Sequence, residues 1–164
     1  RPPKPQVVGS TPATRTICME KAKYYSAEEK THEISSGHAT DSVLMLEDEG
    51  ELTEALKIYL EANDFTVTCV RNGVDGLKKI MTADYDVVLC DMLMPNLPGD
   101  MFYVAVQKVK PHLCRRFIFM TGHKGDKKID DFIRKVHGVM LWKPFHPHEL
   151  LETIRYVMKK TRGE

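Results

Sequence analysis

From residue 42 onward, short apolar runs alternate with amphipathic stretches. The runs occupy 43–46, 65–70, 87–90, 117–120 and 139–142, each of strand length, with β-branched and aromatic residues common among them. Apolar positions also recur at helical spacing in four stretches. These are Leu52, Ala55, Leu56, Tyr59 and Leu60; Val74, Leu77, Ile80 and Met81; Ile129, Phe132, Ile133 and Val136; and Leu150, Leu151, Ile154, Val157 and Met158. Continuous apolar strands separated by helices predict βαβ units, hence a mostly parallel sheet covered on both faces. Five such repeats in about 120 residues fit one doubly wound α/β domain over 42–162, with strand order 2-1-3-4-5.

Residues 1–41 show no such period. They open Arg-Pro-Pro-Lys-Pro, are rich in Pro, Ser, Thr and charge, and read as a largely irregular linker or tail. Ser26-Ala27-Glu28-Glu29 has the spacing of a capping box and predicts a short helix reaching Ile34, marginal in water unless it docks.

Candidate chemistry lies where the apolar runs stop. The first is followed by Glu47, Asp48 and Glu49, the third by Asp91, the fourth by Thr121 and the fifth by Lys143. In a parallel sheet all strands end on one edge, where ligands bind in open α/β folds. An acidic residue after a strand is often a helix cap, and a lone Thr or Lys there means little. Four runs ending at one edge in complementary chemistry mean more. Glu47, Asp48 and Asp91 form a set of hard carboxylate oxygens, which suits Mg²⁺. Asp91 is the candidate nucleophile, since a carboxylate can hold a phosphoryl group as an acyl phosphate. Lys143 supplies a point charge and Thr121 a hydroxyl for the phosphoryl oxygens.

Composition narrows the classes. A length of 164 residues is one domain's worth, and 42% hydrophobic with 29% charged residues excludes disorder throughout. A net charge of +1 supplies no basic field to hold nucleic acid or an anionic membrane. No apolar run approaches the roughly 20 residues of a spanning helix. Cys18, Cys69, Cys90 and Cys114 form no C-x-x-C pair and read as reduced thiols of a cytoplasmic protein. Histidines are numerous, but His146-Pro147-His148 lacks the spacing of paired ligands on a helix, so no transition-metal site is expected. The start at Arg1 suggests a fragment or processed product.

Taken in order and spacing, these segments resemble the receiver (phosphoacceptor) domain of two-component response regulators. The resemblance spans roughly residues 42–160. Its motifs are Leu46-Glu47-Asp48-Glu49, the stretch from Asp86 through Asp91-Met92-Leu93-Met94-Pro95 to Gly99, Phe119-Met120-Thr121-Gly122 and Trp142-Lys143-Pro144-Phe145. It implies a flavodoxin-like receiver fold and phosphorylation of Asp91 by a histidine kinase or histidine phosphotransfer protein. It further implies Mg²⁺ held by Glu47, Asp48, Asp91 and the backbone carbonyl of Leu93, a phosphoryl group read by Thr121 and Lys143, and a cis Lys143–Pro144 bond. The positions of Leu93 and His123 tune phosphate lifetime in this family. Two departures stand out. The acidic pair is Glu47-Asp48 where the family most often has two aspartates, and the switch position, usually aromatic, is Met140.

Two other readings compete. A haloacid-dehalogenase-like phosphatase also uses an aspartyl nucleophile but wants a second Asp two residues later, where this chain has Leu93. An FMN-binding protein wants a hydroxyl- and glycine-rich loop after the first strand, where Glu47-Asp48-Glu49 would repel the phosphate. The expectation is therefore a receiver that catalyses only its own phosphorylation and slow dephosphorylation and switches a partner-binding face on the fourth helix, fifth strand and fifth helix. Its downstream partner is a protein, without direct nucleic-acid or membrane contact by this segment. The Pro-rich start favours the C-terminal receiver of a hybrid histidine kinase over a stand-alone domain.

Overall fold

A computed structural model describes residues 40–163. The helix expected from Ser26 and the tail reading of residues 1–39 lie outside the described residues. The chain runs β1 (Asp41–Leu46), α1 (Gly50–Glu61), β2 (Phe65–Val70), α2 (Gly73–Thr82), β3 (Val87–Asp91), α3 (Gly99–Val109), a 3₁₀ turn (Pro111–Arg116), β4 (Phe117–Thr121), α4 (Lys127–Val136), β5 (Val139–Trp142) and α5 (Pro147–Arg162). The five strands form one parallel sheet in the order β2-β1-β3-β4-β5.

Strand alternation divides the core in two. Val43, Met45, Val87, Leu89, Ile118, Met120 and Leu141 pack under α1 and α5, against Leu56, Leu60, Leu150, Ile154 and Val157. Leu44, Leu46, Val88, Cys90, Phe117 and Phe119 face α2, α3 and α4, against Ile80, Phe102, Tyr103, Val106, Ile129 and Ile133. β3 and β4 are buried along their whole length, which is why they read as unbroken apolar runs.

Two helices depart from expectation. α3 lies outside the four amphipathic stretches, although its Phe102, Tyr103 and Val106 are buried. In α2, Val74 and Met81 are exposed, not part of the buried face. Gly73 and Gly76 take that place, letting α2 approach Leu97 and Leu46 too closely for a Cβ. Capping follows the local sequence. Asn72 accepts the Asp75 N–H at 2.8 Å, Asp126 accepts from Lys128 and Ile129, and Glu149 accepts the His146 N–H at 2.7 Å.

Away from the strand ends that carry the candidate residues, Arg162 pairs with Asp41 and Asp86 and fastens the end of α5 to the start of β1. Asp86 also accepts the Ser42 N–H at 2.8 Å and its hydroxyl at 3.0 Å. Burial works against the Asp86 charge, but Ser42 and Arg162 outweigh it and hold the carboxyl below its ordinary 3.8. A depressed carboxyl contributes stability that is present above its unfolded value and lost as pH falls through the folded one. Asp86→Asn should therefore cost about 1 kcal/mol in urea unfolding at pH 7, and the gap to the parent should close below pH 4. A gap independent of pH would contradict this assignment. Among the described residues, no helix is long and apolar enough to cross a membrane.

Candidate functional site

The strand ladder continues one bond past the assigned strand ends. Glu47 N–H donates to Val70 O at 3.1 Å, and Lys143 N–H to Thr121 O at 2.8 Å. Alternation therefore carries through, and Glu47, Asp91 and Lys143 share the phase of Met45, Leu89 and Leu141. Their side chains meet. Lys143 Nζ lies 2.5 Å from Glu47 Oε2 and 2.7 Å from Asp91 Oδ2. Residues separated by 96 and 52 positions in sequence thus form one cluster. The remaining carboxylate oxygens take backbone donors: Glu47 Oε1 from Glu49 N–H at 3.2 Å and Asp91 Oδ1 from Leu93 N–H at 2.9 Å.

Burial makes this cluster unusual. Glu47 is 1% exposed and Asp91 6%, while Asp48 is exposed. Burial pushes the Glu47 carboxyl above its ordinary 4.5, with Lys143 offsetting part of the rise. For Lys143, burial favours the neutral amine, but the two carboxylates outweigh it and hold the ammonium above its ordinary 10.5. One carboxylate oxygen from each of Glu47, Asp48 and Asp91 lies within 4.8 Å of the others, the only such grouping among the described residues. A donor set made wholly of carboxylate oxygens, one of them open to solvent, fits a hard divalent cation.

The loop after β3 is tied back against the strand. Gly99 N–H donates to Met92 O at 3.1 Å, and a Cβ at Gly99 would stand 2.6 Å from the Asp91 carbonyl oxygen and 3.0 Å from Met92 Cα. Those are backbone atoms and cannot step aside. Gly99→Ala should therefore cost about 1–3 kcal/mol and displace the Asp91 peptide, read by urea unfolding and by amide shifts at Asp91 and Leu93. Wild-type stability with unmoved shifts would contradict it.

A family model described as the response regulator receiver domain matches residues 43–155. The chain belongs to that family. The receiver is 26% identical over 126 residues to the transcriptional regulatory protein SrrA of Staphylococcus aureus. That match covers 76% of this chain and 50% of the relative, so the chain spans about half the length of the curated relatives it matches. Among solved structures it is similar to a CheY-like receiver domain protein of Methanospirillum hungatei, with a TM-score of 0.71 at 21% identity over 76% of this chain and 98% of that one. It is also similar to the chemotaxis protein CheY4 of Vibrio cholerae, with a TM-score of 0.66 at 26% identity over 73% and 99%. A third match is the receiver domain of a histidine kinase from Syntrophus aciditrophicus, with a TM-score of 0.66 at 22% identity over 74% and 92%. The choice between a receiver and an aspartyl phosphatase falls to the receiver.

The other expected positions of the receiver are placed as follows. Thr121 is buried at the end of β4, and its Oγ accepts the His123 N–H at 3.2 Å. Met140 is half-buried in β5 and packs against the α3/α4 side of the core. Lys143–Pro144 is cis. The Leu93 side chain is exposed, and its N–H rather than its carbonyl is engaged with Asp91. Two features escaped sequence reasoning. Glu47 partners Lys143 as well as facing Asp48 and Asp91, a contact that no local pattern announces. The His123 N–H on Thr121 is a Ser/Thr turn, which Thr-Gly-His at a strand end does signal.

Proposed function

We propose that this receiver accepts a phosphoryl group on Asp91 from a phosphohistidine donor, a histidine kinase or histidine phosphotransfer protein, and passes the signal to a protein partner. One observation carries the reading. The Asp91 carboxylate closes a central buried strand with one oxygen on the Leu93 N–H and the other on the Lys143 ammonium. A carboxylate so held is oriented, and the cation beside it is placed to meet incoming phosphoryl charge.

In the proposed reaction an Asp91 oxygen attacks phosphorus, a P–O bond forms, the P–N bond of the donor breaks, and the leaving imidazole takes a proton. Lys143 then shifts its contact from the carboxylate to a phosphoryl oxygen. Thr121 turns its hydroxyl toward another, leaving space beside Met140 that neighbouring side chains refill. Glu47, Asp48, Asp91 and the Leu93 carbonyl are the proposed holders of Mg²⁺. Bound there, Mg²⁺ neutralises charge on the transferring oxygens. The exposed apolar side chain of Leu93 offers no group to orient an attacking water, so the acyl phosphate is expected to hydrolyse slowly. Its proposed activity is thus limited to its own phosphorylation and dephosphorylation.

Acetyl phosphate and Mg²⁺ provide the test. The intact mass should rise by one phosphoryl group, and neutral hydroxylamine should remove it, as it does an acyl phosphate. A hydroxylamine-stable adduct, or none, would overturn the reading.

A further inference from the structure

Trp142, the chain's single tryptophan, stands beside this site without a part in the chemistry above. It pairs in register with Thr121 across β4 and β5 and shares the face of Met140. The Lys124 ammonium, on the loop between β4 and α4, lies 5.8 Å from the centre of its ring, a cation–π distance. Thr121, His123 and Lys124 therefore form one short chain of contacts: the Thr121 hydroxyl holds the His123 N–H, and the next residue is laid on the indole.

We propose that Trp142 and Lys124 are positioning residues that hold the loop after β4 in its resting place and set how readily Thr121 turns toward a group on Asp91. The inference rests on the receiver reading of Asp91. While Lys124 stays on the indole, the His123 peptide stays with it, and the Thr121 hydroxyl is committed to its own loop. Turning Thr121 toward Asp91 takes the acceptor from the His123 N–H, and the loop that moves to satisfy that N–H elsewhere carries the ammonium off the ring. The contact thus belongs to the resting arrangement, and a ligand that selects the other must overcome it. An exposed cation–π contact corresponds to about two- to fivefold in such an equilibrium.

The probe is beryllofluoride with Mg²⁺, titrated by ¹⁹F NMR so that the readout does not depend on the tryptophan. Lys124→Met and Trp142→Leu should each bind about two- to fivefold more tightly than the parent, and Lys124→Arg, which keeps the cation, should match the parent. In the Trp142→Leu background, Lys124→Met should add nothing further. Parental Trp142 emission should change on binding, and that change should shrink in Lys124→Met. Unchanged or weaker binding in Lys124→Met, or an equal effect with Trp142 already replaced, overturns the inference. Failure of the underlying reading looks different: the parent and Asp91→Asn would then show the same ¹⁹F signal, or none.

Discussion

Asp91→Asn should give a folded protein that takes up less than about 1% of the parental label from acetyl phosphate. The carboxamide has no negative charge, and neither its oxygen nor its nitrogen is a competent nucleophile toward phosphorus at neutral pH. Its oxygen still accepts the Leu93 N–H, and Lys143 keeps Glu47 as partner, so the fold survives while the chemistry stops. Asp48 is the obvious substitute acceptor, but it is exposed beyond the end of β1, whereas Asp91 is held from both sides. Parental labelling in Asp91→Asn would show that another carboxylate carries the group.

Lys143→Met should have the largest effect on stability. It leaves the Glu47 and Asp91 carboxylates, both buried, without their shared counter-charge. Removing one partner of a buried pair costs about 3–5 kcal/mol, because the remaining charge is desolvated and uncompensated. Urea unfolding in EDTA should show a loss of that order. Mg²⁺ should restore much of it and bind the variant more tightly than the parent, since Lys143 no longer competes for the same oxygens. The pH dependence has a definite sign. Glu47 binds its proton more readily folded than in its ordinary state, so its contribution to stability is largest below 4.5 and is lost as pH rises through the folded value. Losing Lys143 should steepen that fall. A variant as stable as the parent in EDTA, with unaltered Mg²⁺ affinity, would contradict the role given to Lys143.

The sheet was legible because β1, β3 and β4 are buried on both faces and write themselves as unbroken apolar runs. Because all strands of a parallel sheet end on one edge, the residues after the apolar runs, Glu47, Asp91, Thr121 and Lys143, were legible as one group. α3 stayed hidden because exposed Met101, Val104 and Val109 fill out its apolar positions and blur the period of Phe102, Tyr103 and Val106. Val74 and Met81 misled for the complementary reason: the buried face of α2 is made partly of Gly73 and Gly76, which carry no hydropathy signal. The individual side-chain pairings between residues far apart in sequence were not legible. The Arg162 pairs with Asp41 and Asp86, and the Lys143 pair with Glu47, depend on which strand ends and helix ends the fold sets side by side.

Borohydride reduction of the phosphorylated protein tests the central claim most directly, because it reduces an aspartyl phosphate to homoserine and marks the acceptor covalently. After labelling with acetyl phosphate and Mg²⁺, reduction and peptide mass mapping, homoserine should stand at position 91 and nowhere else. Conversion at Asp48, at another aspartate, or at none would contradict the account.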